Sequence, residues 1–267
     1  MSLAFTILGC GSSGGVPRLG AGWGACDPAN PRNRRRRCSL LVERADPASG
    51  ARTQVLVDTS PDLRQQLLDL DIDRLDAILM THCHADHTHG IDDVRALVIH
   101  NRARIDIHMD AATSAVVTRA FSYIFETPRS SLYPSLLNER RLVAGQEALI
   151  NGPGGPVAAL PFELVHGEIN ALGFRFGNVA YTPDLNAIPP ESLGALAGLD
   201  IWIIDALRHT SHPSHLSLSE ALDWISRLKP RRAVLTNLHN DLDYATLARD
   251  LPAHIEPAYD GMRFLVP

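Results

Sequence analysis

Residues 82–87 read His82-Cys83-His84-Ala85-Asp86-His87, and they follow an apolar run, Ala77-Ile78-Leu79-Met80. The run reads as a buried strand. A fold must therefore place four ligand-type side chains at the end of one strand, where their positions are fixed before an ion arrives. His82 and His84 lie two residues apart, so in an extended segment both point one way, while Asp86 and His87 face a neighbouring point. This H-x-H-x-D-H spacing suits two adjacent metal ions. A lone histidine is most often a satisfied core or surface residue, but four such groups after a strand point to metal ligation. Imidazole and carboxylate accept zinc, manganese or iron, and the lack of a thiolate leaves that choice open. Cys83 alternates away from the histidines and reads as packing.

The bulk of the chain is ordinary. Its 267 residues are 45% hydrophobic and 21% charged, enough for a substantial core. No apolar run approaches the roughly 18 residues of a membrane helix, and Met1–Leu8 reads as a first strand, not a signal peptide. A net charge of −5 gives no global basic field for holding a long nucleic acid. Four cysteines, without a C-x-x-C pair, suggest a reducing cytoplasm. Histidine is the outlier: of twelve, seven fall in the windows 82–89 and 209–215.

Strands are expected at 3–8, 39–43, 53–58, 77–80 and 105–108, with helices at 61–70 and 91–98. The segment 110–140 looks helical and then irregular. Further strands are expected at 157–165, 173–176, 179–181, 201–204, 233–235 and 262–266, and helices at 217–228 and 244–251. Strands outnumber helices in each half, and helices follow strand pairs. The pattern predicts an α+β fold, an αββα sandwich of two facing mixed sheets with helices on the outer faces, in one domain over 1–267.

The H-x-H-x-D-H block resembles that of the metallo-β-lactamase fold hydrolases. That resemblance implies three more ligands just after strands: His166 in Leu164-Val165-His166-Gly167, Asp184 in Thr182-Pro183-Asp184, and His239 in Thr236-Asn237-Leu238-His239. It puts His82, His84 and His166 on one ion, Asp86, His87 and His239 on the other, and Asp184 between them. The family often places its last ligand directly after the strand's threonine, which is Asn237 here. His239 is the imidazole nearby, with Asn237 as an outer group. The implied cofactors are two divalent ions, Zn2+ or Mn2+. Such ions lower the pKa of water and neutralise charge on a carbonyl or phosphoryl oxygen, which is hydrolytic chemistry.

Three features narrow the substrate. Gly9-Cys10-Gly11-Ser12-Ser13-Gly14-Gly15-Val16-Pro17-Arg18 offers backbone N–H groups, the hydroxyls of Ser12 and Ser13, and Arg18 to an anion; a plain tight turn is the competing reading. His215 starts the helix at 217–228, suited to protonating a leaving oxygen, with His209 and His212 as rivals. Asp58 ends a strand and reads as a group that orients a metal-bound imidazole. Together with Trp23-Gly24-Ala25-Cys26-Asp27, these blocks resemble the phosphodiesterase branch near 5-phosphoribosyl 1,2-cyclic phosphate phosphodiesterase, in which the histidine matching His215 is the general acid. The extra structural zinc of that enzyme needs clustered cysteines; here the loop has Cys26 and, further on, Cys38, so no structural zinc is expected.

Arg34-Arg35-Arg36-Arg37 reads equally as a phosphate clamp or a solvated charge run. The aromatics from Phe121 to Tyr133 read first as packing, with a pocket wall or a contact in a homodimer as alternatives. The leading function is a metal-dependent phosphodiesterase for a small cyclic phosphate or nucleotide-like ester. Its alternatives are a tRNA 3′-processing-type nuclease, a thioesterase or lactonase of the same fold, and a non-catalytic cofactor-biosynthesis protein.

Overall fold

The computed structural model describes residues 2–127 and 134–266. Fourteen strands among them form two seven-stranded sheets. The first sheet begins with β1 (Leu3–Gly9), β2 (Ser39–Ala45), β3 (Arg52–Val57), β4 (Ala77–Leu79), β5 (Ile105–Met109) and β6 (Leu137–Arg141). The second holds β7 (Ala148–Ile150), β8 (Val157–His166), β9 (Ile169–Phe176), β10 (Val179–Thr182), β11 (Ile201–Asp205), β12 (Arg232–Thr236) and β13 (Ile255–Pro257). The last strand, β14 (Arg263–Val266), returns to the first sheet and pairs antiparallel with β1.

Strand order is β14-β1-β2-β3-β4-β5-β6 in one sheet and β13-β12-β11-β10-β9-β8-β7 in the other. Each sheet is mixed. The pairs β1–β2 and β2–β3 are antiparallel, whereas β3–β4, β4–β5 and β5–β6 are parallel. Likewise β7 to β10 run antiparallel and β10 to β13 parallel.

Alternation along the strands builds the layers, since successive side chains leave opposite faces. Phe5, Ile7, Leu40, Val42, Val55 and Val57 face Phe174, Phe176, Val179, Ile201 and Ile203 across the sandwich. Their neighbours Leu41, Leu56 and Ile78 point outward, onto Leu63 and Leu67 of α1 (Leu63–Leu68). The outward face of the second sheet, with Trp202, Ile204 and Leu235, is covered by Ala221, Ile225 and Leu247. The α+β four-layer architecture expected from the strand and helix count is the one observed.

Strands β6, β7 and β13 were not expected. The run Leu137-Asn138-Glu139-Arg140-Arg141 is charged because it is an edge strand, whose outer groups remain in water. The other two are three residues long, too short to show alternation. The expected helix at 91–98 is a 3-10 turn over Ile91–Val94 running into α3 (Arg95–Asn101), preceded by the short α2 (Ala85–Thr88). After α4 (Ala111–Ala120) and the single turn α5 (Ser122–Phe125), the Tyr133 end of the aromatic segment lies outside the described residues. Ile124 is buried in the outer layer, while Tyr123 is exposed. The late helices are α6 (Leu218–Leu228), with a Ser217–Glu220 capping box, and α7 (Tyr244–Asp250), capped by Asp243.

The packing makes a graded prediction. Phe174, wholly buried between the sheets, should cost about 3–5 kcal/mol of unfolding free energy when cut to alanine. Leu265→Ala on β14, 71% exposed, should stay within about 0.5 kcal/mol. Chemical denaturation of both variants checks this; a Phe174→Ala loss no larger than that of Leu265→Ala would refute the inter-sheet core.

Candidate metal centre

Strand direction gathers the polar groups at one end of the sandwich. Asp58 follows β3, Thr81–His84 follow β4, His166 ends β8, Asp184 follows β10, Asp205 ends β11 and Asn237 follows β12. These are carboxyl ends of strands that run the same way, where open sheets present their ligand sites. A backbone bond from Leu172 N–H to the Thr81 carbonyl (2.8 Å) ties the two sheets together there.

Three imidazole nitrogens converge. His82 Nε2 lies 3.0 Å from His84 Nδ1, and His166 Nε2 lies 3.1 Å from the same atom. Beside them, Asp184 Oδ2 is 2.5 Å from His87 Nε2 and 3.6 Å from His82 Nε2. Asp86 stands next to this second set, its Oδ2 3.5 Å from His87 Nε2. Among the described residues the donor atoms fall into three overlapping groups: His82, His84 and His166; His82, His87 and Asp184; and Asp184, Asp205 and His215.

The outward ring atoms explain why these nitrogens are free to bind. Thr81 Oγ1 donates its one proton to Asp58 Oδ2 (2.8 Å), so at 2.9 Å it accepts from His82 Nδ1. His87 Nδ1 donates to the same Asp58 oxygen, Oδ2, at 2.7 Å, and His166 Nδ1 donates to the Ser214 carbonyl at 2.7 Å. In His82 and His166 the proton is held outside and the Nε2 lone pair faces inward, the tautomer a metal ligand needs, while His87 turns its Nε2 to Asp184.

Electrostatics agree. Burial, with His87 nearby, pushes His82 well below the ordinary imidazole range, and burial also lowers His166. Both are neutral donors. Burial would lower His87 too, but Asp184, Asp58 and Asp86 around it reverse that and hold it well above its usual value. Asp184 resists its own burial and is held well below the usual carboxylate range by His87, His82 and His215. Three carboxylates around one imidazole demand positive charge at this point. The donor chemistry and the inward lone pairs fit divalent cations.

His215 sits at the rim. Its Nδ1 is 3.0 Å from Asp205 Oδ2 and 3.4 Å from Asp184 Oδ1. Burial opposes its charge, but the Asp205 hydrogen bond and both carboxylates raise its pKa to about 9. Burial pushes Asp205 up to about 7. His212 packs 5.1 Å from His215, ring to ring. Asp205 was not anticipated; the signal was a carboxylate ending the otherwise apolar strand Ile201-Trp202-Ile203-Ile204.

His239 does not join the ligand groups found among the described residues. Its backbone N–H is bound to the Leu207 carbonyl (2.9 Å), and its carbonyl accepts from buried Arg35 (3.1 Å). Its ring Nδ1 lies 3.4 Å from Asp241 Oδ1. Asn237 takes the place beside Asp184. Its Nδ2 donates to Asp184 Oδ1 at 2.5 Å and lies 3.0 Å from His215 Nδ1. Asn237 and Asp58 both hold left-handed φ values, +61° and +63°, strain of the kind that collects at functional sites.

The glycine loop lies against this end of the sheets. Leu238 N–H donates to the Cys10 carbonyl (2.8 Å), and Ser12 N–H reaches the Leu238 carbonyl (3.4 Å). Gly9 is required by close approach, since a Cβ there would stand 2.0 Å from the Arg37 carbonyl oxygen. Arg18 lies over Gly14, with Nη1 3.5 Å from Ser12 Oγ. Ser12 is buried and Ser13 exposed.

The arginine run is structural, which decides against a four-arginine phosphate clamp. Arg35 is buried, bound to the carbonyls of His239 and Leu242 and to Asn33, and its guanidinium packs beside Cys26 Sγ. Arg36 pairs with Asp69 and Asp260, Arg37 with Asp62, and Arg34 stacks on Trp23. Cys83 is half-buried and lines a groove of about 720 Å³ with Val116, Val143, Ile169 and Asn170, next to the histidines.

Fold and site define a metal-dependent hydrolase with an αββα sandwich. The chain belongs to the β-lactamase superfamily: the family's domain pattern matches residues 53–237. It is similar to a crystal structure described as a new diphosphatase from the PhnP family, with 36% identity, a TM-score of 0.87, and 100% of this chain and 98% of that chain covered. Zn2+-bound PqqB of Methylobacterium extorquens superposes with a TM-score of 0.72 at 16% identity (98% and 99% covered). The short form of human tRNase Z gives 0.64 at 18% (99% of each). These two likenesses concern the fold. An octanoyltransferase of Porphyromonas gingivalis is 30% identical over 97% of this chain, but the chain spans only 51% of that protein.

Asp260 braces the loop by accepting from the backbone N–H groups of Cys10 (3.2 Å) and Arg36 (2.8 Å). Burial raises its pKa to about 6. A carboxyl whose folded pKa lies above its unfolded value makes the folded state bind more protons, so stability falls as pH rises from about 4 to about 6. Asp260→Asn should remove that component of the slope in urea titrations across this window. An unchanged slope would contradict the buried-acid account.

Proposed function

We propose that this chain hydrolyses a phosphoester or phosphoanhydride bond of a small phosphorylated substrate, with two divalent ions at the donor groups around Asp184. His82, His84 and His166 would hold one ion, and Asp86, His87 and Asp184 the other, with Mn2+ or Zn2+ as candidates. Bound there, such ions lower the pKa of water and offset charge on phosphoryl oxygens.

The observation that carries the phosphoryl reading is His215. Asp205 and Asp184 keep it protonated to about pH 9, and its Nδ1 is engaged by Asp205 (3.0 Å). Nε2–H is therefore the proton left to give, beside the ion positions, to a departing oxygen. Asp205 orients that ring and stabilises its charge. Arg18 with the Ser12 and Ser13 loop supplies an anion contact on the same rim, and the largely apolar groove beside Cys83 suits the organic part of a small substrate. The diphosphatase named above, alike over its whole length, supports the same bond class. A cyclic phosphate or nucleotide-like diester remains the first substrate to try.

The test is a panel with Mn2+- and Zn2+-loaded protein: bis(p-nitrophenyl) phosphate, a 2′,3′-cyclic nucleotide, a nucleoside diphosphate ester, a thioester and a lactone. Phosphoryl substrates should turn over. His215→Ala should lower kcat about 10²–10⁴-fold on substrates with a poor alkoxide leaving group and far less on p-nitrophenyl esters, whose leaving group needs no proton. Arg18→Ala should raise KM. Thioester or lactone cleavage without phosphoryl turnover would overturn the proposal.

A further inference from the structure

We infer that the two ion positions are unequal, and that the second is completed by phosphate oxygens of the substrate and not by a protein imidazole. The inference rests on the phosphoryl reading above. The first position has three converging imidazoles, His82, His84 and His166, plus Asp184 Oδ2 3.6 Å from His82 Nε2. Four donors close a tetrahedral set. The second position has one imidazole, His87, and two carboxylates, Asp184 at 2.5 Å and Asp86 at 3.5 Å from its Nε2.

Asp205 and His215, which group with Asp184, are paired with each other at 3.0 Å, and the remaining strand end, that of β12, supplies Asn237. Its amide is oriented. The Asp184 carboxylate only accepts, so the NH2 group must face it, at 2.5 Å. The amide oxygen then points to the buried Cys38 thiol, 4.0 Å away. Turning the amide over would set its oxygen against the carboxylate inside a buried pocket, where an unpaired acceptor is costly. Asn237 therefore stabilises the charge on Asp184 and does not ligate. The His239 ring stands outside the donor groups of the described residues, with its Nδ1 3.4 Å from Asp241 Oδ1.

A hard ion with an octahedral preference, such as Mn2+, finds three protein donors here and lacks three. Phosphate oxygens match that need. Linkage makes the effect mutual: whatever factor by which phosphate tightens the ion, the ion tightens phosphate.

Isothermal titration of metal-free full chain with Mn2+, without and with inorganic phosphate, reads this directly. Two classes of site are expected, apart by roughly tenfold or more. Phosphate should tighten the weaker class by about 5–150-fold and leave the tighter one unchanged. Asn237→His should bring the weaker class towards the tighter and reduce its response to phosphate. Should that variant not fold, Asp86→Ala serves, with loss of the weaker class alone. Two equal classes, or a weaker class indifferent to phosphate, would overturn the inference. Equal classes with phosphoryl turnover would sink the inference and spare the function. Unequal, phosphate-coupled classes without phosphoryl turnover would support the inference and sink the function.

Discussion

The site depends on one buried carboxylate. Asp58, at the end of β3, accepts from His87 Nδ1 (2.7 Å), from the Thr81 hydroxyl (2.8 Å) and from the Thr81 backbone N–H (2.8 Å). Through Thr81 it also fixes the proton on His82. One group thus orients an imidazole in each donor set, and it is positioned before any ion binds. Its own burial penalises the charge, so its worth lies in orientation: a buried acid with every partner in place specifies a single arrangement.

Around that point the charges are balanced locally. Neutral imidazoles line one side, His82 and His166 lowered by burial. Carboxylates dominate the other, where His87 is forced to carry charge. At the rim, Asp205 and His215 form a separate pair that keeps a proton available. Asn237 joins the two regions, since it touches both Asp184 and His215. The net charge of the chain says nothing of this; what matters is that donors, counter-charge and proton source arrive from different strand ends on one edge of the sandwich.

Much of the fold was legible because apolar alternation and turn chemistry act locally. The strands that were missed are short or lie at an edge, where water relaxes the demand for apolar residues. The His82–His87 block could be read from its spacing alone, since it is local. The partners delivered by distant strands could not: His166 and Asp184 followed from a family resemblance, and Asp205 had no local pattern beyond a lone acid on an apolar strand. The sequence made His239 and Asn237 near neighbours, yet the fold sets the Asn237 amide against Asp184 and the His239 ring beside Asp241. Neither is visible in spacing. The arginine run illustrates the same limit, because the partners of Arg35, Arg36 and Arg37 include carbonyls and acids up to 224 residues away.

The central claim is that strand ends preset two donor groups around Asp184, with His239 outside both. Anomalous diffraction from a Mn2+-soaked crystal at the manganese edge tests it most directly. The account predicts a strong peak bounded by His82, His84, His166 and Asp184, and a second peak beside His87, Asp86 and Asp184 with no contact to the His239 ring. A peak coordinated by His239, or no peak among His82, His84 and His166, would contradict it.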